Sequence, residues 1–405
     1  MHGKTNPSEN ILEDFEVLKN DQYWNGGNQY RQCSLSVMDT IADPDIKFDE
    51  KGICNYYYDY LSAEKQNVFT GDAGKSKLSE TVSIIKEAGR RKKYDCVIGL
   101  SGGADSTYLA LLAKQVGLRP LIVHFDYGWN SELAIHNIEN ATKKLGFDLY
   151  TFVMDWEEFK DLQRSYFKAS VIDLDVPADH MIFGALYKTA LKFGIKFVLS
   201  GNNVVTETTL PRSWNYNKFD LINLKSIQNQ YGTLPLKKLP ALGLWQYAYY
   251  QLVRNIQMVQ LLNYVPYNKE EIKNTISNEL GWKDYGGKHH ESIFTRFYQG
   301  YILPKKFKVD KRKAHLSNLI FSRQITKSQA LEELSEPSYD PILQLQDKEY
   351  VAKKLGFTTE EFEKVLSQPN RKHEEFGTDV KQREKYFRLM RTFKPLTAVV
   401  KVFRS

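Results

Sequence analysis

A chain of 405 residues with 42% hydrophobic and 26% charged side chains can bury two or three cores of roughly 150 residues each, which excludes disorder for most of it. No apolar run approaches the roughly 20 residues of a bilayer span, and the polar start Met1-His2-Gly3-Lys4 excludes a secretory leader, so a cytoplasmic protein with no membrane partner is expected. The net charge of +7 is uneven: residues 281–330 hold eleven Lys or Arg against three Asp or Glu, which suits nucleic acid, nucleotides and anionic sugars as well as a solvated face.

Residues 1–30 are polar and rich in Asn, a lead-in to a small N-terminal subdomain ending near residue 90. The only cysteines, Cys33, Cys54 and Cys96, are too few for a disulfide framework and fit a reducing compartment. From Asp95 short apolar runs (95–100, 120–125, 148–153 and 196–200) alternate with helical stretches (from Ser106, near 131–145 and near 179–193). That alternation predicts an α/β domain over 91–235, a parallel sheet with helices on its faces. Leu109, Leu112, Ala113 and Val116 share one face of the first of these helices, which directs its N-terminus to the carboxyl edge of the sheet, where ligands bind. After about residue 235 the strand signal fades. Residues 239–264 read as one long aromatic helix, and helices at 271–280, 327–334, 347–355 and 359–366 make 236–405 a mostly α-helical C-terminal part.

Gly74-Lys75-Ser76 imitates the end of a Walker A loop, but Phe69 stands where its first glycine belongs and no buried strand precedes it. Leu100-Ser101-Gly102-Gly103-Ala104-Asp105-Ser106 is different, because it follows an apolar strand and opens an amphipathic helix. Two glycines admit an oxyanion close to the backbone, and the helix start favours a phosphate there. Ser101 and Ser106 add hydroxyl donors. A carboxylate at Asp105 makes sense in an anion site if it holds a cation, most simply Mg²⁺ on the phosphates.

These residues resemble the SGGxDS signature of the PP-loop ATP pyrophosphatases, which implies a doubly wound parallel sheet of the adenine nucleotide alpha hydrolase-like type and transfer of AMP to a substrate oxygen with release of pyrophosphate. His124-Phe125-Asp126 is similar to the stretch that lines the adenosine in that family, and Ser200-Gly201-Asn202-Asn203, with Glu207 beyond, to its glycine turn over the nucleotide. The implied ATP-binding set is Leu100, Ser101, Gly102, Gly103, Asp105, Ser106, His124, Phe125, Asp126 and Gly201.

Further stretches resemble the bacterial N-acetyl sugar amidotransferases. They are Cys33 to Thr40, Ile46 to Asn55, Asp175-Val-Pro-Ala-Asp179-His180, Gly281 through Lys288-His289-His290-Glu291-Ser292 to Phe297, Leu303 to Phe307, and Asp310 to Ser317. The resemblance spans residues 30–335. It departs in one respect: where the family often has C-x-x-C twice, this chain has Ser36 and Tyr57 at the second positions. Two thiolates are too few for structural zinc without further ligands, and none is expected.

The resemblance implies conversion of an acetamido group of a surface-polysaccharide sugar, as in lipopolysaccharide O-antigen, to an acetamidino group through an O-adenylyl imidate. Ammonium needs a base, and Glu207 or Glu291 can serve. His290 joins them as a catalytic candidate, although His289, His290 and Glu291 also fit a metal site or a solvated cluster. His180, Lys288, His289, Arg296, Lys305, Lys311 and Arg312 are the candidates for binding the sugar and any phosphate or carboxylate on it. None of the cysteines fits a glutaminase nucleophile, so the resemblance implies ammonia from separate glutaminase and cyclase-like subunits similar to those of imidazole-glycerol-phosphate synthase. No nucleic-acid partner is expected. Two rival classes are a PP-loop tRNA-modifying enzyme, whose sulfur-transfer members need exposed reactive cysteines, and a non-catalytic adenine-nucleotide sensor.

Overall fold

The computed structural model describes residues 30–288 and 290–392; the polar lead-in before Tyr30 and His289 lie outside them. Helices α1 (Asn55–Asn67) and α2 (Gly71–Gly89) precede the sheet. Gly74-Lys75-Ser76 lies inside α2, where an exposed Lys75 pairs with Asp72 at 3.4 Å, so it forms no phosphate loop. Strands β1 (Cys96–Gly99), β2 (Pro120–Asp126), β3 (Leu149–Val153) and β4 (Phe197–Leu199) alternate with helices α3 (Ala104–Gln115), α4 (Glu132–Leu145), α5 (Trp156–Ala169) and α6 (Val176–Lys192). The sheet is parallel throughout, in the order β3-β2-β1-β4 followed by a fifth strand.

Strand periodicity divides the side chains between two cores. Cys96, Ile98 and Ile122 enter one with Leu109 and Leu112 of α3, Ile138 of α4 and Ile85 of α2. Val97, Leu121, Val123 and Phe125 enter the other with Phe159 and Leu162 of α5 and Met181 and Ala185 of α6. Helices therefore cover both faces, the doubly wound arrangement, and the chain reverses direction across the sheet between β1 and β4. That switch point opens a crevice at the carboxyl edge.

Two differences from the sequence reading matter. Helix α5 was not anticipated, although Asp155 caps it through the Glu158 amide at 3.1 Å. The single helix expected over 239–264 is instead α8 (Leu244–Leu252), the strand β5 (Gln257–Val259) and a 3₁₀ turn at Leu261–Tyr264, after α7 (Leu221–Tyr231). The helix ends at Leu252, and Asn255 beyond it takes a left-handed φ of 51°. The following residues then satisfy the open backbone edge of β4, which a helix cannot do. The edge strand of the sheet thus comes from beyond residue 235. The rest is mostly helical: α9 (Lys269–Leu280), α10 (Ile293–Phe297), a π-helical segment at Tyr298–Phe307, then α11 (Arg312–Phe321), α12 (Lys327–Ser335), α13 (Pro341–Leu355), α14 (Thr359–Leu366) and α15 (Val380–Thr392).

Candidate active site

The loop between β1 and α3 stands at the switch point. Ser101 Oγ accepts from the Gly103 amide at 3.2 Å and meets Ser106 Oγ at 3.2 Å, which closes the loop on itself. Gly103 is the N-cap of α3 and no side chain caps the first turn. Its first-turn amides have no side-chain acceptor, an arrangement that receives an anion. Gly102 has φ +84°, and a Cβ there would stand 2.6 Å from the Ala134 carbonyl oxygen. Gly102→Ala is therefore expected to lose about 1–3 kcal/mol from the backbone alone, read as a melting temperature several degrees lower; unchanged melting would mean that the loop does not need a left-handed residue. Gly201 brings the turn after β4 over the same loop, since its Cβ would lie 3.1 Å from the Ser106 amide nitrogen.

Three groups of side chains surround the loop. Asp105 accepts a hydrogen bond from Tyr267. Burial raises its carboxyl above the usual range, Lys288 opposes that shift and Glu207 adds to it. Lys288 Nζ lies 2.9 Å from Glu207 Oε1. Burial disfavours its charge, but Glu207, Asp105 and Glu291 outweigh that and hold the ammonium above the ordinary lysine value. Lys269, at the first position of α9, also faces Asp105; burial, then Lys273 and Lys288, lower its pKa. Two cations thus converge on the uncapped helix start.

Glu291 borders the loop on the other side. A Cβ on Gly103 would be 3.1 Å from the Tyr285 hydroxyl and 3.3 Å from Glu291 Oε1, and Tyr285 hydrogen-bonds Glu291. The backbone holds it there: the Ser131 amide donates to the Glu291 carbonyl at 2.9 Å and Ile293 to the Trp129 carbonyl at 2.9 Å, around an antiparallel bridge between Asn130 and Ser292. The C-terminal part is in this way laced to the loop after β2.

The other predicted residues divide. His124 and Asp126 stand at the end of β2. His124 Nε2 lies 3.4 Å from Asn130 Nδ2, burial lowers its pKa, and Asp126 accepts from the Gly128 amide at 3.1 Å. Leu100 and Phe125 are buried in the two cores, so only their backbone can face a nucleotide. His290 packs edge-on to Tyr339.

Four of the expected sugar-binding residues have partners within the fold. His180 is buried, with Nδ1 2.7 Å from the Lys218 carbonyl oxygen and Nε2 accepting from the Leu242 amide at 3.0 Å; burial pushes its pKa down to about 4. Arg296 makes a bidentate pair with Asp347, both bonds 2.8 Å. Arg312 binds Asp310 at 2.8 Å and the carbonyls of Glu333 and Glu336 at 3.0 and 2.8 Å. Lys305 lies over the Tyr301 ring.

Cys33 and Cys54 are brought together in the core, where the Cys54 amide donates to Cys33 Sγ at 3.2 Å and Ser36 Oγ lies 3.8 Å from Cys54 Sγ. Tyr57 turns its ring onto Phe321.

Tyr267 and Lys269 were not anticipated as site residues, and a usable signal preceded them. Asn268 caps α9 through the amides of Glu270 and Glu271, both 3.1 Å, and a helix that follows a parallel strand begins at the carboxyl edge. Recognising β5 would have put both residues there.

Two family models match separate parts of the chain. Residues 95–181 match the queuosine biosynthesis protein QueC family, and residues 291–392 match the C-terminal domain of WbpG-like LPS biosynthesis proteins. An uncharacterized protein of Methanocaldococcus jannaschii is 24% identical over 76% of this chain and 94% of its own length. The tRNA(Ile)-lysidine synthase of Chlamydia pneumoniae is 36% identical over 18% of this chain and 24% of its own, and that of Thermus thermophilus 24% identical over 28% and 21%. Among solved structures, NMN synthetase from Francisella tularensis superimposes with a TM-score of 0.35 at 13% identity, covering 74% of this chain and 100% of that one. An NH3-dependent NAD synthetase from Campylobacter jejuni gives 0.28 at 14%, covering 73% and 98%. At these scores the superpositions add nothing to the strand order.

Proposed function

We propose that this chain, which joins a QueC-like segment of the PP-loop type to a WbpG-like C-terminal segment, is an ATP-dependent amidotransferase converting an acetamido group of a bacterial surface-polysaccharide sugar to an acetamidino group. The observation that carries the reading is the uncapped start of α3, behind a glycine loop, facing Lys269, Lys288 and Asp105 with Glu291 at its border.

An amide carbonyl is a poor electrophile, so its oxygen must be activated first. In the reaction we propose, that oxygen attacks the α-phosphorus of ATP, the bond to the pyrophosphate breaks, and the amide nitrogen loses its proton to leave an O-adenylyl imidate. Ammonia then adds at the imidate carbon and AMP departs with the C–O bond electrons. The loop amides, Lys269 and Lys288 stabilise the negative charge that grows on the leaving pyrophosphate. Asp105, with the ATP phosphates, offers the hard oxygen donors that Mg²⁺ prefers, and the ion when bound neutralises that same charge. Glu291 holds ammonium and takes its proton, because Glu207 is already committed to Lys288 at 2.9 Å.

With ammonium and a panel of acetamido sugars, ATP should give AMP and pyrophosphate, and mass spectrometry should find a sugar in which NH has replaced oxygen. ADP and orthophosphate would overturn the reading. Glutamine should not replace ammonium for the isolated chain, since Cys33, Cys54 and Cys96 are all buried and none can act as an exposed nucleophile; separate glutaminase and cyclase-like subunits should restore its use. Turnover of glutamine by the isolated chain would refute the need for those partners.

The local likeness to tRNA(Ile)-lysidine synthases favours a second reading, a tRNA-modifying enzyme. Copurifying tRNA would support it.

A further inference from the structure

The stretch Asp175-Val-Pro-Ala-Asp179-His180 is not used by the chemistry above. His180 serves the core, while Asp175 stands at the N-cap position of α6 without a side-chain capping bond and Asp179 lies one turn on, at the same sheet edge as the loop after β2. The charges around them are matched unequally. Lys218 Nζ lies 2.6 Å from Asp173 Oδ2 and 3.2 Å from Asp179 Oδ2, and the Tyr216 amide adds a bond of 2.8 Å to Asp173. Asp173 is thereby fully matched.

Asp175 is not. It is 7% exposed and receives only neutral donors at the far end of hydrogen-bond range, Thr295 Oγ1 at 3.3 Å and Gln299 Nε2 at 3.4 Å. Burial and the nearby Asp179 push its carboxyl up to about 6. Lys311, just before α11, is the cation that acts most on Asp175, yet no ion pair within 4.0 Å joins them. Burial lowers the pKa of Lys311, and Asp175 is the carboxylate that opposes this most. Tyr127, at the end of β2, links this corner to the active site, because its hydroxyl interacts with Ser292 and lies in the field of Asp175, Glu291 and Asp179.

An acceptor-only carboxylate and a donor-only ammonium thus share one corner without touching. Without a direct ion pair each stays incompletely matched, and a molecule that completes them must offer a hydroxyl to the first and an oxygen acceptor to the second. Neighbouring hydroxyls of a sugar ring do both. We propose that Asp175 and Lys311 form the subsite that grips ring hydroxyls of the sugar and so presents its acetamido group to Glu291 and the loop. This rests on the amidotransferase reading and adds to it the residues that select a polyhydroxylated substrate.

Saturation-transfer NMR on the full chain tests it, with N-acetylglucosamine, N-acetylmannosamine and UDP-N-acetylglucosamine as sugar probes and ATP as the control. Lys311→Met keeps the aliphatic stem and Asp175→Asn keeps the shape. Each should weaken sugar binding at least tenfold and leave ATP binding unchanged, while Lys311→Arg retains most of the sugar signal. Equal sugar binding in wild type and both variants would refute the subsite alone. Loss of ATP and sugar binding together would refute it too, by showing that the pair holds the fold. Binding of ATP but of no sugar by the wild type would overturn the sugar reading, and the subsite with it.

Discussion

Replacing Asp105 by Asn is expected to reduce AMP formation by roughly a thousandfold, the cost of losing the carboxylate that would hold the Mg²⁺ neutralising developing charge in a closed site, and to leave the melting temperature unchanged or slightly raised. The second half follows from the charges. Asp105 and Glu207 both lie beside Lys288, and burial already disfavours the Asp105 carboxylate. Removing one of two like charges relieves repulsion, and the amide oxygen still accepts from Tyr267. A structural carboxylate would behave in the opposite way, with stability lost and any activity loss following from it. Steady-state assays beside a thermal melt separate the two, and a wild-type rate in Asp105→Asn would show that the loop does not handle phosphates.

Glu291→Gln is expected to lower the ammonium-dependent rate by about 10²–10⁴-fold near neutral pH, the range for a lost general base. The loss should shrink as pH rises, because solution then supplies ammonia already deprotonated and the missing base matters less. Glu207→Gln should behave differently. Lys288 would lose its partner at 2.9 Å, so the KM for ATP changes and raising the pH brings no recovery. A pH–rate profile of both variants checks the assignment. Recovery at high pH in Glu207→Gln and none in Glu291→Gln would exchange the two roles.

The glycine loop before α3 was legible because it is local. A strand, two glycines and a helix start within a dozen residues specify both the turn and the amides it exposes, and Gly102 at φ +84° is the kind of position only glycine fills without strain. Strands β1, β2 and β4 were legible for a similar reason, since runs buried on both faces are apolar at nearly every position; β3 lies at the sheet edge with alternate residues exposed and was legible from its aromatic and β-branched run. Strand β5 was not, because Gln257, Met258 and Val259 are half-buried and short, and their conformation is decided by the open edge of β4 rather than by their own pattern.

The cationic candidates are placed by contacts that their own residue types do not reveal. Arg296, Arg312 and Lys288 look alike in a basic segment. Asp347, 51 positions away in the chain, claims the first at 2.8 Å, Asp310 and two helix-end carbonyls claim the second, and only Lys288 is carried to the crevice, against Glu207. What the sequence determined by itself is the parallel sheet with helices on its faces and the glycine loop that opens α3, since both depend on hydrophobic period and backbone conformation within a few residues. Which charged side chains serve that loop was decided only in the tertiary structure, because a charge takes the nearest opposite charge in space, and residues distant in sequence set that distance.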